Sequence, residues 1–72
     1  RYKVLSAGKV MRPTKRKKVK KSDNPVPPET KIDSLIERAV DNDDVIFVAG
    51  ENGVPLGEID RWIIMRAMDA RS

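Results

Sequence analysis

Apolar residues recur along the second half of this chain with two different periods. Ile32, Leu35, Ile36, Ala39 and Val40 follow the i, i+3, i+4, i+7, i+8 spacing of one helix face, which predicts an amphipathic helix over residues 31–40. Thr30, with Asp33 three residues later, supplies a capping signal for its start. After the polar turn Asn42-Asp43-Asp44 the period changes. Val45-Ile46-Phe47-Val48-Ala49 is a continuous run of mostly β-favouring residues, too short for a typical helix, and it predicts a buried strand. Asn52-Gly53 tolerates positive φ and suits a type I′ turn, so residues 45–50 are expected to fold back onto residues 54–59 as an antiparallel hairpin. Pro55 has no N–H and should leave the outer side of that second strand as a sheet edge. Asp60 then stands at an N-cap position before a helix over residues 61–70, whose apolar residues cover more than one stripe.

The first third of the chain is built differently. Ser6 can cap a short helical turn that docks through Val10 and Met11 and ends at Pro13. From residue 15 to residue 21, six of seven residues are cationic: Lys15, Arg16, Lys17, Lys18, Lys20 and Lys21. A block of like charge repels itself, so it is expected to be extended or disordered when nothing is bound. Asn24-Pro25-Val26-Pro27-Pro28 cannot join a helix and predicts a short extended strand at a sheet edge. The predicted fold is therefore α+β: a short strand, a helix, an antiparallel hairpin and a second helix, preceded by a basic arm. Residues 1–24 form the linker and arm, and residues 25–72 the core.

Charge sharpens this division. The net charge of +4 hides ten bases and no acid in residues 1–21, against five bases and 11 acids in residues 22–72. The absence of Cys excludes disulfides and thiolate chemistry, and the absence of His removes the commonest metal ligand and the usual base near neutral pH. The carboxylates fall mainly at helix starts, on polar faces and in turns, so neither an enzyme nor a metal site is expected. A chain of this length buries only roughly 60% of the surface its unfolded form exposes, which favours pairing with a second copy. Arg1 at the start and the lack of an apolar run of about 20 residues suggest a piece of a larger soluble protein.

These pieces together resemble a CBS motif. The match comprises Val10-Met11-Arg12-Pro13 at the entry, Val26-Pro27, the helix over 31–40, the strand 45–49, Asn52-Gly53, Val54-Pro55-Leu56-Gly57-Glu58-Ile59 and the closing helix. Residues 1–11 also look like the linker that precedes CBS motifs in ATP-binding subunits of bacterial glycine betaine, choline and proline ABC importers. Those subunits usually carry two such motifs, and one is present here. The resemblance implies a non-catalytic regulatory domain, cytoplasmic and held at the membrane through its parent transporter, that pairs with a second CBS motif as a homodimer. It would sense ionic strength or a ligand. By the same resemblance Val26, Pro55, Gly57 and Asp60 are the ligand-binding candidates. Nucleotide-binding CBS motifs carry a hydroxyl residue and then an Asp where this chain has Asp60 and Ile63, so adenine nucleotide is not expected to bind, and no cofactor is assigned.

Two further sets of residues carry functional expectations. Trp62, Ile64, Met65 and Met68 on the last helix are the candidate dimer interface, because aromatic and Met anchors are typical of interface cores. The six cations of residues 15–21 are the candidate contact for an anionic membrane surface. Nucleic acid is the less favoured partner, because no aromatic residue is interleaved with the lysines to stack on bases. Two rival readings are a small basic nucleic-acid-binding module and a purely structural dimerisation domain.

Overall fold

The computed structural model describes residues 5–69. The expectation for residues 1–4 as a linker, and the last predicted helix position, Ala70, lie outside them. The fold is α+β, combining short helical segments with a two-stranded antiparallel sheet.

The sheet grows from the alternation of the hairpin. Strand β1, Ile46–Ala49, pairs with β2, Pro55–Ile59, in the register Ile46↔Ile59, Phe47↔Glu58, Val48↔Gly57 and Ala49↔Pro55, with a bulge that leaves Leu56 unpaired. Ile46, Val48 and Ile59 point inward and are fully buried. The connection differs from a two-residue type I′ turn. Gly53 is the one loop residue with positive φ, at +77°. Its N–H donates to the Gly50 carbonyl, and the Gly50 N–H donates to Val54 O. This closes a three-residue loop whose last position is left-handed, which favours glycine. The Asn52 side chain accepts the Val54 N–H at 3.1 Å and so keeps Asn52 out of the left-handed region.

Each flank of the hairpin is covered by a single bridging residue. Val26 lies parallel to β1, donating to Phe47 O and accepting from the Ala49 N–H. On the other flank Arg12 exchanges both backbone hydrogen bonds with Glu58 at 3.0 and 2.9 Å. The outer side of β2 at Glu58 is therefore paired, and the edge that Pro55 was expected to leave open is closed there by the entry segment.

That entry segment belongs to the core. Ala7 in the short helix α1, Ala7–Val10, is fully buried, and Leu5, Val10 and Met11 pack against the core. Ser6 precedes α1 but makes no side-chain cap, and the turn ends at Met11, before Pro13. The Ala7 N–H donates to Thr30 O at 2.7 Å and the Ile32 N–H to Leu5 O at 3.1 Å, which ties the arm to the start of the central helical segment.

The central segment buries the predicted stripe, with Ile32, Leu35 and Ala39 inside and Ile36 and Val40 half-buried. It is not a regular α-helix. A 3₁₀ turn, Ile32–Leu35, runs into a wide π turn, Glu37–Asp41. Thr30 does not cap it, because its backbone is held by α1 and by Pro27. Lys31 takes the N-cap position, with the Ser34 hydroxyl donating to its carbonyl. At the other end the Asn42 N–H reaches Glu37 O and the Asp44 N–H reaches Arg38 O around a left-handed Asp43, so the final carbonyls are satisfied by an overwide turn.

The last helix, α2, spans Arg61–Asp69 and begins as predicted: Asp60 Oδ1 accepts the Ile63 N–H at 2.9 Å. Ile64 and Ala67 enter the core, and Trp62 and Met65 remain outside.

Candidate functional site

The basic block forms a fastened loop, contrary to the expectation of an extended or disordered strip. Arg16 Nη2 is 2.8 Å from Asp23 Oδ2, and its guanidinium lies 4.6 Å from the centre of the Phe47 ring. Its Nε also donates to Lys18 O at 3.4 Å. Asp23 Oδ2 accepts a second hydrogen bond from the Lys20 backbone N–H at 2.8 Å. That backbone bond, followed by the charge of Arg16, holds the Asp23 carboxyl below its ordinary range. A 3₁₀ turn, Lys21–Asp23, and a left-handed Asn24 end the loop, where Arg38 Nη1 donates to Asn24 O at 3.0 Å.

Repulsion within the block is thus opposed by one arginine, one carboxylate and one aromatic face. Arg16 is consequently not a free cation. Lys15, Lys17, Lys18, Lys20 and Lys21 are all exposed, and none of them forms an ion pair among the described residues. The loop presents five ammonium groups to solvent, one fewer than the count of cations predicts.

The four ligand-binding candidates do not converge. Val26 lines a cleft of about 430 Å³ with Pro25, Pro27, Ala49 and Gly50. Asp60 lines a different cleft of about 470 Å³ with Asp43, Arg61, Trp62 and Met65. Pro55 is half-buried opposite Ala49 in the hairpin. Gly57 is buried beneath the entry segment, where a Cβ would come within 2.7 Å of both Arg12 O and Met11 Sδ. Its lack of a side chain serves the close approach of residues 11 and 12.

Asp60 is likewise committed. Arg12 Nη1 donates to its Oδ2 at 2.5 Å, while Arg12 Nε and Nη2 both donate to Glu58 Oε2 at 2.9 and 2.6 Å. Thr14 completes the cluster by donating to Glu58 Oε1 at 2.8 Å. The Glu58 carboxyl is lowered first by the Arg12 hydrogen bonds and then by that of Thr14. Asp60 is lowered first by the Ile63 N–H and then by Arg12. The Ile63 N–H is thus already taken by the Asp60 carboxylate, and position 63 itself carries no carboxylate.

The interface candidates divide between two sides of α2. Trp62 is 63% exposed and Met65 42%, one turn apart on the outer side. Ile64 is fully buried and Met68 packs against the core, so Ile64 is a core residue and cannot anchor a surface contact. A residue two positions after Trp62 lies across the helix from it, which is why the assignment of Ile64 to the same interface fails.

Sequence reasoning missed Arg12, Thr14 and Glu58 as a cluster, and Asp23 and Phe47 as partners of Arg16. No local signal joins them, because Arg12 lies 46 residues from Glu58 and 48 from Asp60. Among the described residues no group of three His, Cys, Asp or Glu could hold a metal ion, and no helix is long and apolar enough to cross a membrane. No protein-family model, curated protein or solved structure matches this chain.

Proposed function

We propose that this chain is a non-catalytic regulatory domain of CBS type that pairs with a second domain of its kind and presents its lysine loop to an anionic membrane surface, modulating an osmolyte importer of which it is a part. The observation that carries the reading is the loop of five exposed lysines, none of which forms an ion pair among the described residues, fastened to a domain that is otherwise net acidic. The order of a short parallel bridge at Val26, a helical segment, a hairpin and a closing helix supports the resemblance to a CBS motif. The exposed pair Trp62 and Met65 supports pairing through α2.

A cation near an anionic membrane contributes about 1 kcal/mol, so five lysines contribute at most roughly 5 kcal/mol before the cost of ordering the loop. That suffices for reversible binding. Raising the salt from about 0.1 M to 1 M shortens the screening length from roughly 10 Å to 3 Å and should release the loop. The test is co-sedimentation with vesicles containing anionic lipid across a salt series, for the parent chain and for a variant with Lys15, Lys17, Lys18, Lys20 and Lys21 changed to Gln. Binding that the substitutions abolish and salt reverses supports the reading. Equal binding of both chains, or indifference to salt, reduces the loop to a linker. Retention on short duplex DNA but not on vesicles favours a nucleic-acid module instead.

A second reading, a purely structural dimerisation domain, rests on Trp62 and Met65 alone. It is favoured if the chain sediments as a dimer and binds neither vesicles nor DNA.

A further inference from the structure

The lysine loop contains one cation whose side chain is already occupied, and its position explains how the others are held. Arg16 at the start of the loop and Asp23 at its end close a ring across seven intervening bonds of sequence, with Lys17, Lys18, Lys20 and Lys21 inside it. The same Asp23 oxygen takes the Lys20 backbone N–H, so one carboxylate fixes the loop at two points. Phe47 belongs to β1, and the guanidinium over its ring attaches the closed loop to the outer face of the sheet.

We propose that Arg16, Asp23 and Phe47 form a clasp that holds Lys17, Lys18, Lys20 and Lys21 in a preformed array, with Arg16 a positioning residue and these four lysines the groups that meet anionic phosphate. This rests on the membrane reading above for what the array meets, but the ordering of the loop stands on the contacts of the clasp itself. Four lysines in a short segment repel one another and expand an unrestrained chain. Closing the ring removes that freedom before binding, so less conformational entropy is lost when the surface is met. The clasp also separates two roles that a count of charges merges, because Arg16 contributes order and the lysines contribute attraction.

The decisive variant is Asp23→Asn, for which charge counting and the clasp predict opposite signs. Removing a carboxylate beside the loop adds one unit of positive charge. Counting charges, with about 1 kcal/mol for a cation near an anionic surface, this should tighten binding to anionic vesicles about fivefold. Loss of the clasp should instead weaken it, and we expect at least threefold weaker binding at about 0.1 M salt. Phe47→Leu leaves the charge unchanged and should weaken binding in the same direction.

The full 72-residue chain is used, with vesicles of phosphatidylglycerol and phosphatidylcholine as the probe. A second measurement needs no lipid: the rate of tryptic cleavage after Lys17 and Lys18, which should rise at least threefold in both variants while the far-ultraviolet dichroism stays that of the parent. Tighter vesicle binding by Asp23→Asn, or equal cleavage rates in parent and variants, overturns the clasp. If the parent itself fails to bind vesicles, the membrane reading falls, while the cleavage ratio still decides whether the clasp orders the loop.

Discussion

Replacing Gly57 by Ala adds a single methyl group, and the structure gives it no room. The new Cβ would come within 2.7 Å of Arg12 O and Met11 Sδ and within 2.8 Å of Met11 Cγ. The Met11 side chain can rotate away, but the Arg12 carbonyl cannot move freely because it accepts the Glu58 N–H at 2.9 Å. Inserting an extra carbon into a packed site costs about 1–3 kcal/mol. Ala offsets part of this, since Gly in a strand is worse than Ala by about 0.5–1 kcal/mol. From the midpoints of the two ranges the net destabilisation is about 1 kcal/mol, which lowers Tm by roughly 4–8 °C for a domain of this size. Thermal unfolding followed by circular dichroism reads it directly. Gly50→Ala is the control, because its Cβ would find nothing nearer than Asn52 Oδ1 at 3.6 Å. Adding Met11→Ala to Gly57→Ala should recover part of the loss, since it removes two of the three close atoms and leaves the carbonyl. A Gly57→Ala variant as stable as the parent would refute the assignment of this glycine to backbone packing.

Three other perturbations follow from the same contacts. Trp62→Ala should leave the monomer fold intact but weaken self-association, because an interface anchor of this type can be worth 2 kcal/mol or more; a parent that sediments as a monomer at all micromolar concentrations removes the basis for pairing. The Glu58 and Asp60 carboxyls are both depressed in the folded chain, so the unfolded chain binds more protons as the pH falls through the usual carboxylate range near pH 4. Their contribution is complete above that range and lost below it; urea midpoints should fall between pH 7 and pH 3, less steeply in Arg12→Gln, and equal slopes in the two chains would disprove the coupling. On the proposed CBS reading, ATP and AMP should give no calorimetric binding at low-micromolar concentration, because Asp60 and Ile63 stand where that reading expects a hydroxyl and a carboxylate; a low-micromolar dissociation constant for either overturns the prediction.

Some of this protein was legible residue by residue. The stripe from Ile32 to Val40, the apolar run of β1, the turn at Asn52-Gly53 and the cap at Asp60 are signals between near neighbours. Helix and strand periods follow from backbone geometry within a few residues, so the sequence by itself determined where the central helical segment, the hairpin strands and the last helix lie, although Val45, expected in the buried strand, is exposed and precedes β1. Local chemistry was also enough to identify the lysine block. The tertiary structure decided what that pattern left open. The central helical segment is tightened at one end and widened at the other because Leu5 and Thr30 fix its start and a left-handed Asp43 fixes its finish. The loop is closed by Arg16 meeting Asp23 and a ring on β1, and Gly57 is required by the passage of Met11 and Arg12 against β2. Ile64 and Trp62, two residues apart, separate into core and surface according to which side of α2 faces the central helical segment and α1. Most of these depend on contacts between residues far apart in the chain, where no local period carries information and where packing and charge pairing act only once the segments have met.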